Sequence, residues 1–126
     1  MLEMHGVSRL LTSFNDVLPG YVFGGVYFSD RYISGHFREV KAFLRGLVRA
    51  FRFIRDHEEQ ARKRIPEYTG VSEAVAMRSA LRDLSGNGRE NTATLARQMD
   101  LLVKFGFLET KVSFETIIDY RYLPRF

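Results

Sequence analysis

Apolar and polar positions follow no regular period over the first 20 residues, where 7–14 reads as a short strand or a turn of helix. Asn15-Asp16 and Pro19-Gly20 are turn chemistry and close this segment. The pattern then becomes continuous. Tyr21-Val-Phe-Gly-Gly-Val-Tyr-Phe-Ser29 is aromatic and β-branched on both faces and predicts a buried strand. Gly24 and Gly25 within it mark a bulge or a close approach of backbone. A strand this apolar has two open edges and requires partners for them.

From Ser34 the period turns helical. Phe37, Val40, Leu44, Leu47, Val48, Phe51 and Ile54 recur at three and four residues and line one face. Arg38, Lys41, Arg45, Arg49, Arg52 and Arg55 form a second stripe on a neighbouring arc. Glu39 and Asp56 are the acidic residues of this stretch, too few to neutralise the stripe. Asp56-His57 interrupts the pattern, and Glu58 and Glu59 suit the first turn of a following helix. Pro66 is expected to bend or end that helix ahead of Tyr68-Thr-Gly70. Ser72 can N-cap a helix over 73–84 that buries Val75, Ala76, Ala80 and Leu84. Ser85-Gly-Asn-Gly88 reads as a loop. Asn91 or Thr92 opens a helix with Leu95, Met99, Leu102 and Val103 inward and Gly106 as its stop. Phe107-Leu108 should fold back on it. Ser113 caps a last short helix holding Phe114, Ile117 and Ile118, with Pro124 as its end. The fold class expected is α/β and mostly helical: one or two N-terminal strands followed by about five helices.

A length of 126 residues makes this one domain, 1–126, and 45% hydrophobic content suffices for a core. The 11 Phe and 6 Tyr, with no Trp, make that core aromatic. Absence of Cys removes disulfides, thiolate metal sites and cysteine nucleophiles. The net charge of +4, with 15 Arg among 19 basic residues, admits nucleic acid or an anionic membrane surface as a partner. The simpler reading, and the one preferred, is an Arg-rich solvated surface. No apolar run is long enough to span a bilayer, and Met1 to Gly6 does not begin a signal peptide.

Catalytic chemistry is not apparent. His5, His36 and His57 are widely separated, and no HExxH, GxSxG, Walker or GxGxxG pattern occurs. Glu58-Glu59 reads as helix-start charge rather than an acid/base pair. Neither an enzyme, a metal nor a cofactor is expected.

Several segments taken in order carry a resemblance. They are Pro19-Gly20-Tyr21, Val26-Tyr-Phe-Ser29-Asp30, Tyr32-Ile33, and Val40-Lys-Ala-Phe-Leu-Arg-Gly-Leu-Val-Arg-Ala-Phe51. Ile54-Arg-Asp56, Tyr68-Thr-Gly70 and Gln98-Met-Asp-Leu-Leu-Val-Lys-Phe-Gly-Phe-Leu108 follow. Over about 16–123, the chain resembles the C-terminal half of ABC transporter substrate-binding proteins of the nitrate/sulfonate/taurine type. That group includes binders of the thiamine pyrimidine precursor. The resemblance implies a partial lobe of a periplasmic-binding-protein fold, in which 1–20 is a crossing or linker segment and 21–126 a strand with the helices covering it. It implies import of a small anionic solute with an ABC permease as partner, and a periplasmic or extracytoplasmic location. A complete chain without a signal peptide would instead be cytoplasmic. Candidate ligand contacts are Tyr21, Phe23 and Gly24, near the crossing.

Family members are two to three times as long, so the resemblance also implies a truncated protein lacking a complete ligand cleft. Ser34-Gly-His36 replaces their usual Asn-Pro turn, and Pro66 falls where they continue a helix. A lone apolar strand then leads to a homo-oligomer joined through 21–29. Two other readings stand beside this one. The first is a basic, winged-helix-like nucleic-acid-binding module, although 92–108 carries few basic residues with which to read bases. The second is a helical protein-interaction domain whose Arg stripe docks an acidic partner or stays solvated.

Overall fold

The structure, a computed structural model, describes residues 6–125. Its regular elements are α1 (Phe14–Val17), α2 (Asp30–Gly35), α3 (Phe37–Asp56), α4 (Glu58–Thr69), α5 (Glu73–Arg78), α6 (Thr92–Lys104) and α7 (Phe114–Ile117). No strand or sheet occurs among the described residues. The expected α/β class, with its N-terminal strands and partial lobe, is therefore overturned. A strand exists through its ladder, and the backbone from Phe23 to Phe28 makes no hydrogen bond to any other described residue. The apolar composition of 21–29 sets a preference for pairing, yet the described residues contain no second segment to satisfy it.

The helices begin where short polar side chains can take up free backbone N–H groups. Ser13 and Asp16 form a capping box on α1, Ser13 Oγ accepting from Asp16 N and Asp16 Oδ2 from Ser13 N. Ser29 caps α2 and Ser72 caps α5. Asn91 Oδ1 accepts from both Ala93 N and Thr94 N at the start of α6. Ser113 precedes α7 as expected, but its hydroxyl bonds to the Glu115 carboxylate instead of a backbone N–H. The α6 stop is also as expected. Gly106 sits at φ +75°, and Phe107 N donates back to Leu102 O at 2.9 Å. The chain does fold back there, while the Phe107 ring remains exposed.

Two boundaries differ from expectation. Helix α4 runs through Pro66 and ends at Gly70, whose φ is +70°. Pro66 lies in the last turn, where its missing donor costs one bond and Thr69 Oγ1 adds another to Ile65 O. Helix α5 stops at Arg78, well short of Leu84. At this early stop the guanidinium of Arg62 in α4 donates to the carbonyls of Met77 and Ser79, supplying donors where a further helical turn is missing.

Packing is sequential, α2 on α3, α3 on α4, and α4 on α5. Along α3 the predicted apolar face is correct in direction. Val40 and Val48 are buried, Leu44, Leu47, Phe51 and Ile54 half-buried, and Phe37 exposed. Ala61, Ala76 and Met99 complete the buried apolar set. This is a small core. The surface measures 10369 Å², against roughly 6,900 Å² expected of a compact monomer of 14.6 kDa. Phe14, Phe23, Tyr27, Phe43, Phe105 and Phe107 contribute to the excess, each more than half exposed.

Candidate functional site

The candidate residues Tyr21, Phe23 and Gly24 lie at the start of the irregular segment that links α1 to α2. The turn before them is fixed by Gly20, at φ +72°, whose N–H donates to Asn15 Oδ1 at 3.1 Å. Tyr21 is half-buried, its ring edge-on to Phe14 at 4.8 Å between centroids, and its N–H donates to Leu18 O at 3.3 Å. Val22 is then clasped by α6. Its N–H donates to Gln98 Oε1 at 3.0 Å, and its carbonyl accepts from Gln98 Nε2 at 3.1 Å. Phe23 emerges beyond this clasp, 73% exposed, with the Arg82 guanidinium 4.9 Å from its ring centroid. Gly24 is exposed, and open space surrounds the position of a Cβ there.

The three candidates are thus consecutive on one segment but do not converge. Tyr21 turns toward α1, Phe23 toward the loop carrying Arg82, and Gly24 toward solvent. The segment is anchored again at its far end by Phe28, which stacks on Tyr32 and meets Phe43 of α3 edge-on at 5.8 Å. Between these anchors it is open. With no ladder at Gly24 and Gly25 the bulge they suggested is not formed, and nothing lies within 4 Å of a Cβ at Gly24. Over Gly25 lies the ring of Tyr27, 3.5 Å from where a Cβ would sit.

Arg82 and Gln98 are the residues that sequence reasoning missed. Gln98 was visible as part of the resembling 98–108 segment, with no role attached. Arg82 carried no local signal, since it reaches Phe23 across nearly 60 positions of chain. Arg82 makes no ion pair among the described residues, which leaves its charge available beside an aromatic ring.

A polar notch lies elsewhere, where the end of α3 meets the 85–88 turn, and is lined by Arg52, Arg55, Asp56, Ser85, Gly86 and Asn87. Its charges are largely internal. Arg52 Nε donates to Gly86 O at 2.6 Å, and Arg55 Nε to Asp56 Oδ1 at 2.8 Å. That hydrogen bond from Arg55 holds Asp56 below the usual carboxylate range and raises Arg55 in return. On the remaining length of α3, Arg38, Lys41, Arg45 and Arg49 are exposed with no carboxylate of the described residues within ion-pair distance.

His36 and His57 serve as boundary residues of α3, His36 edge-on to Tyr32 and His57 against Phe53. His5 lies outside the described residues. No group of three potential metal ligands gathers among the described residues, and no helix there is long and apolar enough to cross a membrane. Comparison with family models, with curated proteins and with solved structures finds no match for this chain.

Proposed function

We propose that this chain serves as a substrate-binding component of an ABC-type import system for small anions such as nitrate, a sulfonate or taurine. The ordered sequence resemblance over 16–123 motivates the reading, and the Phe23–Arg82 pair carries it. An exposed aromatic ring with an unneutralised guanidinium 4.9 Å from its centroid offers an apolar surface and a positive charge together. Small organic anions, which present an apolar stem and a charged head, are matched by those two groups. Tyr21 and Gly24 lie on either side of Phe23 in sequence only, and the clasp of Gln98 on Val22 fixes the register from which Phe23 projects.

One wall is not a cleft, because tight binding of a small solute requires that most of its surface be enclosed. A second polypeptide surface supplies the other wall in this reading. That surface is a further copy of the chain, joined through 21–29. The assembly acts outside the cytoplasm and presents solute to a permease.

Thermal stability of the assembled protein, measured with nitrate, taurine, an alkanesulfonate and the thiamine pyrimidine precursor in turn, tests the proposal. One of them should stabilise by about 2.7 kcal/mol at a hundredfold excess over its Kd. Arg82→Gln and Phe23→Ala should abolish that gain. No shift with any of the four solutes overturns the reading.

A second reading is favoured by a separate observation, the exposed arc of Arg38, Lys41, Arg45 and Arg49 on α3. It is a docking site for an acidic protein partner. Binding of a captured partner that is unchanged when Arg45 and Arg49 become Glu removes it.

A further inference from the structure

We propose that 21–29 is half of a two-stranded antiparallel ribbon, completed by the same segment of a second copy about a two-fold axis at Gly25. The pairing rests on the assembly step of the solute-binding reading and specifies its geometry.

The Gln98 clasp determines which edge is free. In an extended chain, the N–H and C=O of one residue point to the same edge, and successive residues alternate between edges. Both backbone groups of Val22 face α6 through Gln98. On extension of the segment, positions 24, 26 and 28 would share that edge, and Phe23, Gly25 and Tyr27 would present theirs to the opposite one. None of those three makes a backbone hydrogen bond among the described residues. No residue from 21 to 29 has a positive φ. The segment is therefore free to extend.

The sequence of the free edge is self-complementary. An axis at Gly25 places Phe23 opposite Tyr27 of the second copy, Gly25 opposite Gly25, and Tyr27 opposite Phe23. These are the hydrogen-bonded pairs, and each exchanges two bonds. On the other face Val22 lies opposite Phe28 and Gly24 opposite Val26. Aromatic–aromatic and aromatic–β-branched pairs are the favourable cross-strand combinations, and this register supplies both. Phe23 and Tyr27, 73% and 87% exposed in the single chain, would meet edge to edge across the two glycines, with the Phe23 face beside Arg82 left open to solute.

The exposed area supports a second copy as occupant. The chain carries about 3,500 Å² more surface than a compact monomer of its mass, whereas a stable interface removes roughly 800 Å² or more from each partner. A two-stranded ribbon alone is marginal in water. Here it is anchored on each copy by Gln98 at one end and by Phe43 at the other.

The absence of native Cys makes the test direct. Gly25→Cys places two thiols on the axis, at the Cα separation of about 5.5 Å that a hydrogen-bonded pair gives and a disulfide accepts. Mild oxidation should convert this variant to a covalent dimer. Arg64→Cys, exposed on α4, should remain uncrosslinked. Light scattering of the native chain should give twice 14.6 kDa at micromolar concentrations. Tyr27→Pro removes a pairing donor and should yield a monomer with unchanged helical circular dichroism, whereas Val26→Pro removes a donor from the other edge and should leave the dimer. A monomeric native chain, or a dimer indifferent to Tyr27→Pro, overturns the pairing. Solute-induced stabilisation is read separately. Its absence from an intact, crosslinkable dimer sinks the solute reading alone, and its presence in a monomer sinks the pairing alone.

Discussion

The side-chain amide of Gln98 holds both backbone groups of Val22, accepting from its N–H at 3.0 Å and donating to its carbonyl at 3.1 Å. An amide side chain carries the same donor and acceptor as a peptide unit, so Gln98 occupies the place that a neighbouring strand would take. Across 76 positions of sequence, it is the contact that fixes 21–29 to α6.

Gln98→Ala should release this segment. Two partly buried hydrogen bonds contribute about 1–3 kcal/mol together, and amide exchange at Val22 should accelerate by the corresponding factor while exchange inside α3 stays constant. Gln98→Glu keeps an acceptor for the N–H and sets a second oxygen against the carbonyl, so it should recover half of the protection at most. Unchanged exchange at Val22 in Gln98→Ala contradicts the clasp.

Arg62 joins α4 to α5 by donating to the Met77 and Ser79 carbonyls and to the Glu58 carboxylate, with its side chain 18% exposed. Arg62→Met preserves much of the stem and removes the charged fork. The loss should be about 2–3 kcal/mol by urea unfolding, because carbonyls at the end of α5 forfeit charge-assisted bonds. Lys63→Met offers the contrast. Its pair with Glu59 is exposed, and substitution there should leave the unfolding midpoint nearly unchanged.

These interactions also explain how much of the molecule was legible beforehand. Local rules located the starts of α5 and α6 from Ser72 and Asn91, the boundary at His57, and the glycine stop at Gly106, because a cap is satisfied within four residues of itself. The inward face of α3 followed from its period. The strand at 21–29 did not, since composition reports a tendency to pair and a ladder depends on a partner elsewhere. The premature end of α5 is met by Arg62 from α4, and the register of Phe23 rests on Gln98 and Arg82. None of these distant contacts leaves a trace in local spacing. Tyr21, Phe23 and Gly24 were therefore found as neighbours in sequence, while the charge beside them was not.

Gly88 should tolerate no side chain. It adopts φ +74°, and a Cβ there would lie 2.8 Å from Val48 Cγ2 and 3.1 Å from Leu123 Cδ2. Val48 is 1% exposed and has no room to retreat. Backbone strain and overpacking add for Gly88→Ala, giving a destabilisation of about 2–4 kcal/mol in urea unfolding. Gly46→Ala provides the reference, since it sits within α3 with open space around its Cβ position and should stabilise by up to about 1 kcal/mol. Equal effects at the two glycines would contradict the packing of the 85–88 turn on α3.

Tyr120 should make stability depend on pH in the alkaline range. Its hydroxyl donates to Glu90 Oε2 at 2.6 Å, and the Arg89 guanidinium lies 4.8 Å from its ring centroid. Burial, reinforced by the hydrogen bond to Glu90 and by that carboxylate's charge, pushes the phenol from 10.0 up to about 12, and Arg89 opposes the shift. The folded chain thus favours the neutral phenol more strongly than the unfolded chain does. This contribution is fully present below about pH 10, where both states keep the proton. It falls as pH rises, because the unfolded state releases its proton first, and it is gone above about pH 12. The amount at stake is on the order of 1–2 kcal/mol once solvent access to part of the ring is allowed for. Urea unfolding of the native chain and of Tyr120→Phe, followed between about pH 8 and pH 12, measures it. The variant should start about 1 kcal/mol less stable through loss of the Glu90 bond and then decline less steeply. Parallel declines in the two proteins would show that the Tyr120–Glu90 bond does not hold the proton.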